Sequence, residues 1–112
     1  VSMELIDDEM CRRINPVMEL VGQRWASSIL LALGRGATRF TQVTATVEGL
    51  SDRMLAKRLK ELQHAGLVER TIVPTTPVQV RYTLTERGRS LIVAMQPLMR
   101  WTHADAVERA AG

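Results

Sequence analysis

From Arg24 to Leu33 the apolar residues Trp25, Ile29, Leu30 and Leu33 recur at helical spacing, and Gly34 and Gly36 supply a stop, which predicts a core helix. Upstream, Leu5 to Arg13 reads as a short amphipathic helix. Pro16 suits the first turn of a second helix carrying Val17, Leu20 and Val21, loosened at its end by Gly22. Downstream, Thr38 is placed to cap a short helix holding Phe40, Val43 and Val47, before Gly49 breaks it and Leu50 turns inward. Ser51 is a good N-cap for the next helix, whose Leu55, Leu59 and Leu62 fall at i, i+4 and i+7 until Gly66 ends it. The period then changes. Leu67 to Val73 and Val78 to Leu84 are β-branched and partly alternating, and Pro74, Thr75, Thr76 and Pro77 separate them, so they predict a hairpin. Thr85 caps a last helix with Leu91, Ile92, Met95, Leu98 and Met99, in which Pro97 is expected to produce a kink or a split.

Two short helices joined by a turn, the second with a narrow leucine seam, are the pattern of a helix-turn-helix. With the hairpin as a wing and a further helix behind it, the order predicts a mainly α fold with a small β-hairpin, a winged helix-turn-helix. At 112 residues the chain suits one domain over residues 1–112. The 46% apolar content is that of a globular protein, and the longest apolar runs, Ile29 to Leu33 among them, are too short for a membrane span. The acidic start lacks the basic and apolar regions of a secretory signal, so the cytoplasm is the expected location. One cysteine, Cys11, and two distant histidines make neither a disulfide framework nor a zinc site, and no cofactor is expected.

Charge sharpens the picture. Four of the twelve acids lie before Cys11, so from Arg12 onward the remaining 8 stand against 15 Lys and Arg, a balance of +7. A basic body favours a polyanionic partner such as nucleic acid, and it is the order of elements that makes double-stranded DNA the expected one. With each helical residue turning about 100° and Leu55 set at zero, Arg53, Lys57, Lys60 and His64 fall at about 160°, 200°, 140° and 180°, opposite the leucine seam. Such a face can enter the major groove, and Ser51 and Asp52 at its N-terminal end can reach base edges. A solvated surface face would look similar in an isolated helix; the preceding helix, the turn and the hairpin argue for DNA. Arg39, beside the N-terminus of the preceding helix, reads either as a phosphate ligand or as a loop arginine. In the wing, Thr75, Thr76 and Gln79 offer neutral donors and Arg70 and Arg81 offer charge for backbone or minor groove. Arg81 reads equally as an ion-pair residue of the strand. Arg24 and Trp25 read first as structural.

The segments Gly22-Gln-Arg-Trp25, Thr38-Arg-Phe40, Gly49-Leu-Ser-Asp-Arg-Met-Leu55, Ala65-Gly-Leu-Val-Glu-Arg70 and Tyr82-Thr-Leu-Thr-Glu-Arg-Gly88 together resemble the HxlR-type winged helix regulators, within the wider MarR-like group. The resemblance implies a homodimer in which terminal helices (1–21 and 86–110) pair across a two-fold axis. It also implies that the two recognition helices enter successive major grooves of a roughly palindromic operator. The stripes Leu5, Ile6, Met10 and Leu91, Met95, Leu98, Trp101 fit that plan, the other reading being that they cover one another within one chain. Several members of this family sense oxidants or electrophiles through a cysteine near the N-terminus. Cys11 lies in that region, although Arg12-Arg13 follow it where proline often does. Two readings stand for Cys11: a sensor whose thiolate Arg12 and Arg13 favour, or a small buried hydrophobe. Met18, Met95 and Met99 read as core fillers or as the lining of a small-molecule effector space.

These features favour a DNA-binding regulator. The alternative is a winged helix used for protein-protein interaction, with its cationic face on an acidic partner. An enzyme is not expected, since His64 and His103 sit in no hydrolase or metal motif and no phosphate-binding glycine loop occurs.

Overall fold

Ile29 and Leu30, at the centre of the apolar pattern, are fully buried, and around them close Val43, Leu55, Leu59, Leu62 and Leu67 in one cluster. The computed structural model describes residues 7–112. Within them the elements are α1 (Asp8–Arg12), α2 (Pro16–Val21), α3 (Ala26–Gly34), α4 (Phe40–Thr46), α5 (Asp52–His64), β1 (Val68–Val73), β2 (Gln79–Leu84) and α6 (Glu86–Ala111). The core sits between α3, α4 and α5, and Leu67 and Val68 at the start of β1 close it. The strands pair antiparallel from Val68 opposite Leu84 to Val73 opposite Gln79, which makes the hairpin. The architecture is the mainly α, winged helix-turn-helix arrangement that the sequence pattern predicts.

Cap chemistry explains most helix starts. Asn15 Oδ1 accepts from the backbone N–H groups of Val17 and Met18 ahead of Pro16, Ser51 Oγ accepts from Met54 N at 3.1 Å, and Thr85 Oγ1 accepts from Gly88 N at 3.0 Å. At the end of α5, Gly66 adopts φ +74 and Leu67 N donates to Leu62 O at 3.0 Å, so the chain leaves the helix through a left-handed residue.

Several boundaries differ from the sequence pattern. Helix α1 begins at Asp8 and not at Leu5, because Asp7 is extended and caps it, its Oδ1 accepting from Met10 N at 2.9 Å. Helix α3 begins at Ala26 and not at Arg24, because Trp25 is left-handed with φ 76. Thr38 is not the cap of α4. Arg39 holds that position, and Gln42 reaches back with Oε1 to accept from Thr38 N at 2.9 Å and Arg39 N at 3.0 Å. The N–H groups of Thr38 and Arg39, which precede the first helical turn, are therefore met from inside the helix.

Pro97 does not split the last helix, which runs unbroken for 26 residues. Its missing N–H deprives only the Val93 carbonyl, and both residues are exposed, so water can replace the lost bond. At 1.5 Å per residue α6 is about 39 Å long. Met95 is buried, but farther along Leu98, Trp101 and Val107 are exposed, Trp101 to 64%. Met10, Ile14 and Met18 on the α1–α2 side are exposed too, Ile14 to 80%. Among the described residues, Met10, Leu98 and Trp101 are thus left uncovered within one chain, whereas Met95 is in the core and Leu91 packs against it; Leu5 and Ile6 lie outside the described residues. The radius of gyration, 16.3 Å, exceeds the roughly 13 Å of a compact domain of this size, as a projecting helix requires.

Candidate nucleic-acid interface

The leucine seam fixes the orientation of α5. Because Leu55, Leu59 and Leu62 are buried, Arg53, Lys57, Lys60 and His64 stand exposed on the opposite side. Ser51 and Asp52 are exposed at the N-terminal end, where the Ser51 oxygen is engaged as the cap but its proton remains free to donate. The Asp52 carboxylate in the first turn is favoured by the helix dipole and can accept from a cytosine amine.

A residue that pattern reading missed holds this helix in place. Arg58 is 5% exposed; its Nε donates to the Arg24 carbonyl at 2.8 Å and its guanidinium pairs with Glu61 at 2.6 Å. It lies at about −60° from Leu55, on the flank of the seam. An arginine there, with a glutamate three residues later, is the signal that marks it. The carbonyl it grips belongs to the turn where Trp25 is left-handed and the Arg24 guanidinium lies 4.8 Å from the centre of the Trp25 ring. A Cβ at Gly49, in the turn before α5, would come within 3.3 Å of Trp25 Cη2, so the indole packs close against that turn. Trp25 is thus a packing residue, set against the core, while the Arg24 side chain is exposed above its ring.

The wing divides its charges. Gln79 and Arg81 are two apart on β2 and share a face with Thr71 and Val73, whereas Arg70 and Tyr82 oppose each other on the other face. Arg70 lies beside Lys60 and His64 at the end of α5. Arg39 Nη2 donates to Gln79 Oε1 at 3.0 Å, which ties the start of α4 to the wing. Arg39 is thus tethered, although exposed, and the Gln79 amide nitrogen donates to no group among the described residues. Thr75 Oγ1 donates to the Pro77 carbonyl at 2.8 Å, so its proton is spent within the loop. Thr76 and Arg81 are exposed, and Arg81 makes no ion pair among the described residues.

Cys11 is exposed on α1, contrary to the buried alternative. Its neighbours are engaged along the same helix: Arg12 Nε donates to the Asp8 carbonyl, and Arg13 pairs with Glu9 at 3.2 Å. Of the three methionines, Met95 is in the core, Met99 is half-buried and Met18 is exposed.

A helix-turn-helix whose second helix turns an apolar seam inward and a cationic face outward, beside a β-hairpin wing, defines a DNA-binding transcription regulator. The HxlR-like helix-turn-helix family model matches residues 20–109, and the chain belongs to that family. The HTH-type transcriptional regulator YodB of Bacillus subtilis is 42% identical over 92 residues, covering 82% of each chain. YvaP of the same organism is 37% identical over 93 residues, 83% of this chain and 86% of that one. Among solved structures, diamide-treated YodB superposes with a TM-score of 0.72 at 38% identity, covering 89% of this chain and 95% of that one. The redox regulator HypR in its reduced form gives 0.76 at 25% identity, covering 86% and 95%. The family is one of transcriptional regulators, and no helix among the described residues is long and apolar enough to cross a membrane.

Proposed function

We propose that the chain works as a homodimer on a roughly palindromic operator, with α5 of each copy in a major groove and the wings on the flanking backbone. The observation that carries this reading is the exposed band of Arg53, Lys57 and Lys60 opposite a fully buried seam. Arg53 and Lys57 meet bases or phosphates, Ser51 and Asp52 reach base edges, and Lys60 meets a phosphate. Arg39, Gln79, Thr76 and Arg81 hold the adjoining backbone, and Thr75 contributes acceptor lone pairs only. Exposed apolar residues on α1–α2 and the far half of α6 favour pairing between copies, since such residues cluster where surface is to be covered. Arg53→Ala and Lys57→Ala should each weaken operator binding by about 1–3 kcal/mol, roughly 5- to 150-fold, without changing the melting temperature. Wild-type affinity should fall steeply with salt. Unchanged affinity in both variants would sink the assignment, and salt-independent or absent DNA binding would favour the protein-interaction alternative.

Solved relatives include a diamide-treated form of YodB and a redox regulator, HypR. Exposed Cys11 gives this chain a thiol that an oxidant can reach. With one cysteine per chain, a disulfide needs its second thiol from another molecule, either a second copy or a small thiol. Diamide, which joins two thiols and takes up both hydrogens, should change operator affinity for the wild type and leave Cys11→Ser unaffected. An equal response in both would remove Cys11 from the switch.

A further inference from the structure

Between the end of α3, strand β2 and the first turns of α6 lies an open cavity of about 380 Å³ that the α5 surface does not use. Its walls are mostly apolar, with Leu33, Ala37, Leu84 and Ile92 among them, and among the described residues Arg89 is its one charged lining side chain. Gly34 leaves the space open: a Cβ there would lie 3.8 Å from both Ile92 Cγ2 and Leu84 Cδ1, in ordinary contact with the two walls. Arg89 Nη1 donates to the Leu84 carbonyl at 2.8 Å, which anchors the guanidinium and leaves its remaining N–H groups for a guest. No carboxylate among the described residues lines the cavity. The volume is that of a small-molecule site, at the lower end of the range.

We propose that this cavity binds a small, largely apolar carboxylate, its body against Leu33, Leu84 and Ile92 and its charge on Arg89. Thr38 and Tyr82 also line the cavity, and Tyr82 N donates to the Thr38 carbonyl at 2.7 Å. The next residue, Arg39, begins α4 and bonds Gln79. A guest held by α6 therefore presses on the backbone that joins the helix-turn-helix to the wing. On α6, Arg89 and Ile92 lie at about 160° and 100° from Leu91, whereas Leu98 and Trp101 lie at about −20° and −80°. The cavity opens away from Leu98 and Trp101, so pairing through these two leaves it accessible; Val107 shares the angle of Arg89 but lies about 27 Å farther along the helix. Binding stands independently of the DNA reading, whereas control of operator affinity rests on it.

Calorimetric titration of the full chain with 1-naphthoate and with neutral 1-naphthamide tests the site. The carboxylate should bind with Kd below about 1 mM and about tenfold more tightly than the amide. Arg89→Gln should erase that preference, and Gly34→Leu should abolish binding of both. Arg89→Gln changes an exposed side chain and carries the test if Gly34→Leu does not fold. No binding, equal binding of the two probes, or a preference that survives Arg89→Gln overturns the site. Operator affinity should shift with 1-naphthoate in the wild type alone; binding without such a shift overturns the regulatory role. Failure of the ligand-free protein to bind any operator overturns the DNA reading while the calorimetry still decides the site.

Discussion

Gly88→Ala is expected to lower stability by about 2–3 kcal/mol, although alanine gains about 1 kcal/mol over glycine within a helix. Gly88 is buried in the first turn of α6, and a Cβ there would overlap the Leu67 carbonyl oxygen and press within 3.2 Å of Leu84 Cδ2. The same carbonyl accepts from Thr85 N at 3.0 Å, and Thr85 Oγ1 donates to the Gly66 carbonyl at 2.6 Å. The obstacle is backbone fixed at both ends, so it cannot rotate away as a side chain would. The start of α6 must move off the end of α5, which breaks these bonds. Thermal unfolding followed by circular dichroism should show a midpoint lower by about 10 °C. An unchanged midpoint would mean that α6 does not begin against Leu67.

Arg58→Ala should cost about 3 kcal/mol, for a different reason. The substitution removes a buried cation, leaves Glu61 without its partner and the Arg24 carbonyl without its donor, and opens space beside the leucine seam. Breaking a buried pair from one side is ordinarily worth about 3–5 kcal/mol. Glu61 is one-third exposed, so water recovers part of the loss and the lower figure applies. Operator affinity should also fall at temperatures where the variant stays folded, because the Trp25 turn packed against Gly49 loses its tether. Denaturant unfolding and DNA titration on one preparation separate the two effects. Wild-type values in both would reduce Arg58 to a bystander.

Local patterns made much of the fold legible. The seam at Leu55, Leu59 and Leu62, the caps at Ser51 and Thr85, and the switch to strands after Gly66 each depend on residues within one turn or one hairpin, so the sequence carries them directly. What stayed hidden depends on distant partners. Arg58 finds the carbonyl of a residue thirty-four positions earlier, and Arg39 finds a glutamine forty positions later. Trp25 takes a backbone conformation that tryptophan disfavours, costing about 1–3 kcal/mol, while Arg58 grips the preceding carbonyl. For the candidate site, exposure of Arg53, Lys57 and Lys60 follows from helix geometry alone. The opposite faces of Arg70 and Arg81 follow from strand register, and the spent hydroxyl of Thr75 from loop conformation; composition encodes neither.

The close seat of Gly88 on Leu67 gives α6 a fulcrum at one end, with most of its roughly 39 Å as a lever beyond it. A tilt of about 5° at that fulcrum swings the far tip by about 3 Å on this length. If copies join through the distal half of α6, the same small angle alters the span between their two reading helices. That span must match the roughly 34 Å between successive grooves on one side of a duplex. The stiffness of a single glycine contact would then set how well a pair of subunits keeps step with DNA.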